Sequence, residues 1–186
     1  MNIAEILATV MGLLQGALVW ADKRSNWIFY CLQYVFMAIF SLSTRLYGDL
    51  TNCIVYFIVG VVGWFFWKRD TVSTIKRCSR RERGTYTLVL IALTTVLYLF
   101  LRQTDDPLPL LDALTTAGGY VATYYMIMKK VDTWIIWFVV DILYVAEYFL
   151  LPDRAWYLIG LNLIWTVMAV GSYISWSQKA KETEHE

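Results

Sequence analysis

The sequence predicts an all-α integral membrane protein with seven transmembrane helices. Hydrophobic residues make up 59% of its 186 residues and the mean hydropathy is +0.51, more apolar surface than a water-soluble chain of this length can bury. The apolar runs are long enough to cross a hydrocarbon core of roughly 30 Å as helices. They do not alternate between apolar and polar residues, as the strands of a membrane barrel do.

Seven apolar stretches define the predicted helices, and charged or turn-forming residues separate them. The first lacks the basic start and the cleavage pattern of a signal peptide, so we expect it to stay in the mature protein. Its Gly12 and Gly16 form a GxxxG pattern, which lets another helix approach closely. The fourth is aliphatic and uncharged, and prolines at 107 and 109 separate it from the fifth. The predicted spans are 3–21, 27–42, 47–67, 86–101, 110–128, 133–151 and 156–176.

The distribution of basic residues predicts the orientation. Residues 68–84 hold seven of the sixteen Lys and Arg residues. Such a segment can attract anionic lipid, but an ordinary cytoplasmic loop is also basic, and we favour the ordinary loop. The ends after the odd-numbered spans hold thirteen of the sixteen, and the opposite ends hold Arg45, Arg102 and Arg154. The positive-inside rule therefore predicts an amino terminus outside and a carboxyl terminus in the cytoplasm.

A repeat appears when Trp27 is laid on Trp134, 107 residues further along the chain. The match runs ungapped through two spans, and after a small gap Val62-Gly63 falls on Val170-Gly171. The predicted plan is a three-helix repeat (1–69), a basic loop with a linker helix (70–109), a second three-helix repeat (110–178) and a short tail (179–186). Because one helix separates the repeats, both run in the same direction, a 3+1+3 parallel repeat like that of SWEET transporters.

The sixth span, TWIIWFVVDILYVAEYFLL, is the strongest functional candidate because it carries a carboxylate. In a helix, Trp134, Trp137, Asp141, Tyr144 and Tyr148 follow a 3-4-3-4 spacing and line one face. An ionisable side chain in the middle of a bilayer costs at least about 3 kcal/mol on insertion scales. We therefore expect Asp141 to face a solute site or a protein partner rather than lipid.

The matching face of the second span has no acid, since Tyr34 stands at the position of Asp141. This asymmetry predicts a ligand that stacks on aromatic rings and is positively charged or rich in hydroxyl donors. Glu147 lies about 240° round the helix from Asp141, at about 100° per residue. We expect Glu147 at an entrance or in an interhelical hydrogen bond. The polar partners expected for the solute are Gln33, Asn52, Thr123 and Asn162, although lone Asn and Gln side chains also commonly join helices.

Other classes of function are less well supported. Two carboxylates could serve an intramembrane enzyme, but they lie on different helix faces, and no HExxH, GxSxG or GxGD motif accompanies them. No Walker A motif is present, so we do not expect this chain alone to pump with ATP. The three cysteines form no CxxC pair, so neither a disulfide framework nor a metal or cofactor site is expected. A receptor or scaffold role is disfavoured by the repeat and the buried acid, whereas proton coupling through Asp141 stays open.

The phrases LLDALTTAGGYVATYYMIMKKVDTWIIWFVVDILYVAEY and RLYGDLTNCIVYFIVGVVGWFFW, together with the three-plus-one-plus-three plan, resemble the PnuC family of vitamin transporters over nearly the whole chain. The resemblance implies uptake of nicotinamide riboside, with relatives that carry thiamine, riboflavin or deoxynucleosides. It also implies a SWEET-like fold, a homotrimer and a bacterial inner membrane. Transport in this family is expected to be facilitated diffusion, with a cytoplasmic kinase trapping the solute by phosphorylation.

The family's sixth-helix signature WxxWxxxD falls on Trp134, Trp137 and Asp141, and its seventh-helix polar-aromatic motif falls on Asn162 and Trp165. The chain departs from the family at Thr123, where a glutamine is expected, and this leaves the substrate within the family open. The full set of predicted substrate-binding residues is Trp134, Trp137, Asp141, Tyr144, Asn162, Trp165, Gln33, Tyr34, Asn52, Tyr56 and Thr123. Tryptophans near the span ends are expected to be interfacial anchors instead; these are Trp27, Trp67, Trp156 and Trp176.

Overall fold

A computed structural model describes residues 3–44, 47–67, 74–104, 106–150 and 156–184. These ranges contain seven α-helices, as the hydropathy pattern predicts. They are α1 (Ile3–Trp20), α2 (Asn26–Thr44), α3 (Tyr47–Phe66), α4 (Arg80–Leu101), α5 (Pro109–Ile127), α6 (Thr133–Leu150) and α7 (Trp156–Glu184). The prediction of an all-helical fold is confirmed.

Three of these helices have the length and composition needed to cross a membrane, over Arg80–Leu101, Thr133–Leu150 and Ile159–Glu182. Shorter apolar helical stretches cover Ile6–Trp20, Asn26–Ile39 and Asn52–Phe66. On α4 the aliphatic and aromatic side chains point outward, and Leu88, Val96 and Phe100 are each at least 65% exposed. A helix with this much exposed apolar surface is suited to contact with lipid.

α4 and α7 extend furthest beyond the spans that the hydropathy pattern predicts. α4 begins at Arg80 rather than at residue 86, because Ser79 and Glu82 form a reciprocal capping box. The Ser79 amide donates to Glu82 Oε2 over 2.7 Å, and the Glu82 amide donates to Ser79 Oγ over 3.2 Å. α7 continues to Glu184 and so includes most of the segment expected to be a tail.

The chain divides into two compact units, and the first, Met1–Ser73, contains α1 to α3. α1 packs on α2 and α2 on α3. Glycines allow the close approach, since a Cβ on Gly12 would lie 3.0 Å from the Gln33 amide group and one on Gly60 would lie 2.7 Å from Cys31 Sγ. The predicted packing role of Gly12 is thereby confirmed. Arg24 joins the α1–α2 turn to α3, because its Nε donates to the Trp64 carbonyl over 2.9 Å.

The second unit, Thr74–Glu186, contains α4 to α7. Each helix packs on the next, α4 on α5, α5 on α6 and α6 on α7. Gly118 brings α5 against α6, since a Cβ there would lie 2.5 Å from Val140 Cγ2. Tyr86 of α4 contacts Tyr125 of α5 with ring centroids 4.7 Å apart. The second unit is therefore a four-helix assembly that includes the predicted linker helix.

Part of the basic segment before α4 pairs with the turn between α5 and α6. The Lys76 amide donates to the Lys129 carbonyl over 3.1 Å, and the Val131 amide donates to the Lys76 carbonyl over 3.0 Å. Asp132 accepts from the Cys78 amide and from Arg83 Nε, each over 2.8 Å. Where the structure describes it, this segment is thus held in place rather than extended into solvent.

The two turns that follow α1 and α5 have the same backbone geometry. Asp22 and Lys129 have positive φ angles of 58° and 50°, and they are 107 residues apart. In each turn the next amide donates to a carbonyl five residues back, over 2.8 Å at Lys23 and 2.9 Å at Lys130. This is the Schellman ending of a helix, and it occurs here twice without glycine.

Candidate functional site

One face of α6 is buried, and it is the face that carries Asp141. Trp134 is 6% exposed and Asp141 is 2% exposed, whereas Val139 on the other side is 50% exposed. Trp137 and Tyr144 are partly buried. The aromatic stripe predicted from the 3-4-3-4 spacing therefore lies on the inward side of the helix, and the aliphatic side faces outward.

The Asp141 carboxylate is buried without a charge partner. Within the part of the chain that the structure describes, no hydrogen bond or ion pair reaches it. In the same ranges, no group of three His, Cys, Asp or Glu side chains is placed to hold a metal ion. A buried carboxylate without a partner is costly, because it has lost water and gained nothing in return. Such a group is suited to meet a cation or a hydrogen-bond donor on a ligand.

The antiparallel packing of α6 and α7 determines which residues lie level with Asp141. Near the start of α6, Trp134 contacts Trp176 with ring centroids 5.3 Å apart and an interplanar angle of 89°. Near its end, Phe149 contacts Trp156 at 6.3 Å. With the same rise of about 1.5 Å per residue in both helices, Asp141 is level with residues 164–169 of α7.

α7 turns a line of buried side chains inward, at three-, four- and seven-residue spacing. These are Ile159, Asn162, Ala169, Ser172, Trp176 and Ala180. Four buried donors on α6 and α7 have no hydrogen-bond partner among the described residues, namely the indole Nε1 atoms of Trp134 and Trp165 and the hydroxyls of Ser172 and Ser177. We call Trp134, Asp141, Trp165 and Ser172 the α6–α7 seam. The seam offers donors to oxygen atoms of a solute and a carboxylate to a cation.

Asn162 and Thr123 are both buried, but their positions limit what they can do. Asn162 is 3% exposed and, by the same register, lies level with residues 143–148 of α6, beyond Asp141 toward the end of the helix. Thr123 is 1% exposed, and its hydroxyl donates to the Gly119 carbonyl over 2.8 Å. Thr123 can therefore offer a ligand only the lone pairs of its oxygen.

The first unit has an aromatic ladder between α2 and α3. Tyr34 and Tyr56 stack with centroids 4.8 Å apart at 17°. Tyr30 lies beside Tyr34 at 4.9 Å. Trp27 is fully buried over Gly63, where a Cβ would lie 2.6 Å from three atoms of the indole ring. The structure thus brings the predicted site residues Tyr34 and Tyr56 together.

Two other predicted site residues of the first unit lie outside this ladder. Gln33 is 9% exposed and turns toward α1, where its amide group packs on Gly12. Asn52 is exposed on α3. The ladder itself carries the tyrosine hydroxyls and the buried indole Nε1 of Trp27, which has no hydrogen-bond partner among the described residues.

Glu147 makes the interhelical hydrogen bond that was one of its two predicted roles. Its Oε2 accepts from Thr115 Oγ1 of α5 over 3.0 Å, and Thr115 is fully buried. On the same part of α6, Tyr144 and Tyr148 stack with centroids 5.7 Å apart at 10°. Thr115 was not among the predicted residues, although a threonine in an apolar helix opposite a glutamate is a recognisable pair.

The interpretation of the span-end tryptophans as interfacial anchors is wrong for three of the four. Trp27 and Trp176 are fully buried and Trp67 is 8% exposed, and only Trp156, at 62%, is exposed. The rings of Trp27 and Trp67 meet edge to face at 5.6 Å, as do those of Trp134 and Trp176 at 5.3 Å. Gly63 on α3 makes room for the ring of Trp27, which hydropathy alone does not reveal.

Comparison with known proteins identifies the family. The model of the family described as nicotinamide mononucleotide transporter matches residues 2–178. The chain is 26% identical over 189 residues to the nicotinamide riboside transporter PnuC of Neisseria mucosa, with 94% of this chain and 72% of the relative covered. It is 23% identical over 209 residues to the protein of the same name from Escherichia coli, with 96% and 86% covered. The crystal structure of the vitamin B3 transporter PnuC matches with a TM-score of 0.79 and 25% identity, over 96% of this chain and 82% of that one. The predicted family is thus confirmed, and the chain, a multi-pass membrane protein and not an enzyme, belongs to the nicotinamide mononucleotide transporter family.

Proposed function

We propose that this chain takes up nicotinamide riboside across a bacterial inner membrane by facilitated diffusion, and that a cytoplasmic kinase traps the solute by phosphorylation. The names of the relatives from Neisseria mucosa and Escherichia coli support this substrate. Thiamine or another vitamin or nucleoside is the alternative within the family, because Thr123 replaces the expected glutamine. An intramembrane enzyme is disfavoured, since the described residues give Asp141 no partner for acid–base chemistry.

The buried Asp141 is the observation that carries the proposal. The pyridinium ring of nicotinamide riboside is a cation, and a unit charge about 4 Å from a carboxylate gains about 4 kcal/mol at an effective dielectric constant near 20. Aromatic faces add cation–π attraction, which Trp137 and Tyr144 of the same helix face can supply. The indole N–H groups of Trp134 and Trp165 are free, within the described ranges, to donate to the amide or ribose oxygens.

The cationic solute also explains why no coupled ion is needed. A positive charge that moves inward gains about 2.3 kcal/mol per 100 mV of membrane potential. Facilitated diffusion can therefore concentrate the solute until the potential is balanced, and phosphorylation removes the free solute from the equilibrium. In this mechanism the Asp141 carboxylate acts as a fixed counter-charge to the bound cation. Proton coupling through Asp141 would instead require the carboxyl group to release and take up a proton in each cycle.

The three-plus-one-plus-three repeat of SWEET-like transporters is part of the proposal, and the backbone supports it. The Schellman turns at Asp22 and Lys129 are 107 residues apart, which is the offset that the sequence predicts for the first two helices of each repeat. For the third helices, the edge-to-face tryptophan pairs favour an offset of 109, Trp67 to Trp176, rather than the 108 taken from Val62-Gly63.

We further propose that the amino terminus lies outside, that all seven helices cross the membrane, and that the protein is a homotrimer. The charge of the second unit supports the orientation. Exposed basic residues lie at the start of α4 (Arg80 and Arg81) and near the end of α7 (Lys181), which we place on the cytoplasmic side. Asp106, just before α5, and Glu147, near the end of α6, lie on the opposite side. The homotrimer and the kinase rest on the family resemblance.

Uptake of labelled nicotinamide riboside into liposomes that contain the purified protein tests this proposal. Without potential and without kinase, the internal concentration should reach the external one and stop, and a kinase with ATP inside should raise the total label above it. Accumulation of free solute without potential or kinase would exclude facilitated diffusion. Stronger competition by thiamine than by unlabelled nicotinamide riboside would move the substrate to the alternative.

A further inference from the structure

The structure assigns a specificity role to Ser172: we propose that its hydroxyl, together with the indole N–H of Trp134, donates hydrogen bonds to an acceptor oxygen of the transported solute. The inference rests on the proposed function and deepens it. Ser172 was not among the residues that the sequence pattern predicted. Its importance emerges when the α6–α7 seam is compared with the aromatic ladder of the first unit.

In the first unit, residues of α2 and α3 meet at three levels. Trp27 lies on Gly63, Tyr30 lies on Gly60, and Tyr34 stacks on Tyr56. At each level the two residue numbers add to the same value, as expected of two antiparallel helices with equal rise.

The second unit has the same spacing on α7. At the 109-residue offset, Tyr56, Gly60 and Gly63 of α3, and Trp67 directly after it, correspond to Trp165, Ala169, Ser172 and Trp176. α6 corresponds to α2 at the 107-residue offset. The two offsets together place Asp141 level with Trp165 and Trp134 level with Ser172. The ring contact of Phe149 with Trp156, which was not used to choose the offset, gives a register within one residue of this one.

Gly63 and Ser172 are therefore equivalent positions with different chemistry. In the first unit the position has no side chain, and the fully buried indole of Trp27 fills the space. In the second unit the position carries a Cβ and a hydroxyl, and Ser172 is itself fully buried. Packing alone is satisfied by glycine in the first unit, so the hydroxyl of Ser172 is not needed to hold the helices together.

The hydroxyl of Ser172 is also used differently from most hydroxyls in these helices. Thr85, Thr87, Thr95, Thr123 and Thr166 each donate to the carbonyl four residues earlier, over 2.8 to 3.1 Å. This back-bond is the ordinary way for a hydroxyl to be satisfied in an apolar helix. Ser172 Oγ makes no such bond, nor any other to a described residue.

Two donors at one level define the chemistry of the partner. The indole of Trp134 can only donate, and the hydroxyl of Ser172 has its proton available. An oxygen with two lone pairs, such as a carboxamide carbonyl or a ribose hydroxyl, can accept from both. Because the first unit lacks the second donor, this interaction is confined to the second unit, the one that also carries Asp141.

Binding titrations with Ser172→Ala test the inference. The alanine keeps the Cβ and removes only the hydroxyl, and we expect nicotinamide riboside to bind about 2- to 12-fold more weakly, the loss expected for one neutral hydrogen bond. Ser177→Ala is the matched control, because Ser177 lies on the same helix, has a buried hydroxyl without a described partner, and falls outside the aligned positions. It should leave affinity unchanged.

Two analogues separate recognition from packing. Pyridine riboside lacks the carboxamide, and nicotinamide deoxyriboside lacks a ribose hydroxyl. If Ser172 donates to one of these oxygens, the penalty of Ser172→Ala should vanish for the analogue that lacks it and persist for the other. Equal penalties for all three solutes, with a lower melting temperature, would show that Ser172 only packs and would overturn the inference. Unchanged affinity in Ser172→Ala would also overturn it, whereas absence of binding by the wild type would remove the proposed substrate and the inference with it.

Discussion

Gly63→Ala is the substitution whose effect can be worked out most directly from the structure. It adds one methyl group where α3 meets α2. That methyl would lie 2.6 Å from Cδ2, Cε2 and Cε3 of Trp27, which are rigid ring atoms rather than the end of a flexible chain. Carbon atoms in contact are ordinarily about 3.5 to 4.0 Å apart, so the ring must move by about 1 Å.

The surroundings of Trp27 leave its ring little freedom to move. The side chain is fully buried, with Trp67 edge to face at 5.6 Å and Tyr30 at 5.4 Å. Overpacking of this kind costs about 1 to 3 kcal/mol. The helix propensity of alanine returns up to about 1 kcal/mol. We therefore expect a net loss of about 1 to 2 kcal/mol, or a fall in melting temperature of about 2 to 8 °C for a chain of this size.

Thermal unfolding in detergent, followed by loss of the monodisperse chromatographic peak, measures this effect. Gly84→Ala and Gly160→Ala are the matched controls, because a Cβ at either position meets no atom within 4 Å. Both should melt at or slightly above the wild-type temperature. If Gly63→Ala melts with the controls, Trp27 does not fill the space over Gly63, and the aromatic ladder as described is wrong.

Four further predictions concern the transport site and the topology. Asp141→Asn should weaken binding of nicotinamide riboside at least several-fold, and it should weaken binding of an uncharged analogue of the same shape much less. Equal losses in titrations of both ligands would remove Asp141 from the site. Trp137→Ala should cost about 1 to 2 kcal/mol of binding free energy if a desolvated cation stacks there, whereas the exposed Trp156→Ala should cost none, and equal effects would reduce the stripe to packing. Arg77→Cys should react with an impermeant maleimide only after the membrane is opened. Native Cys78 should stay unlabelled near neutral pH, because burial and the nearby Asp132 raise its pKa to about 11 and only the thiolate reacts. Labelling of Arg77→Cys on intact cells would invert the proposed orientation. An inside-negative potassium diffusion potential of 100 mV should raise equilibrium uptake about 50-fold, from the 2.3 kcal/mol that one charge gains, and exchange of one proton outward per solute would abolish this dependence.

The parts of the fold that follow from periodicity could be predicted from the sequence. The 3-4-3-4 spacing of α6 identified the inward face, and Asp141 is 2% exposed on that face. The offset between Trp27 and Trp134 pointed to the two turns that share one backbone geometry. In both cases the signal is local, since it depends only on residues of one helix or one turn.

The parts that depend on a neighbouring helix could not be predicted in this way. Trp176 looks like an interfacial anchor in the sequence, but it is fully buried and its ring packs edge to face on Trp134 of α6. Ser172 carries no charge and interrupts no pattern, so only the comparison with Gly63 distinguishes it. The early start of α4 could have been predicted, because the Ser79–Glu82 capping box is recognisable in the sequence. The arginines beside it lower the local hydropathy, so a span predicted from hydropathy begins later.

The single carboxylate among equivalent positions also determines how a solute can lie. Tyr34 and Asp141 correspond at the 107-residue offset, and only one of them is charged. A cationic group therefore gains this attraction only in the second unit, on the inward face of α6. We expect a solute whose two ends are chemically different, with a cationic ring at one end and a sugar at the other, to bind there with its cationic end at Asp141.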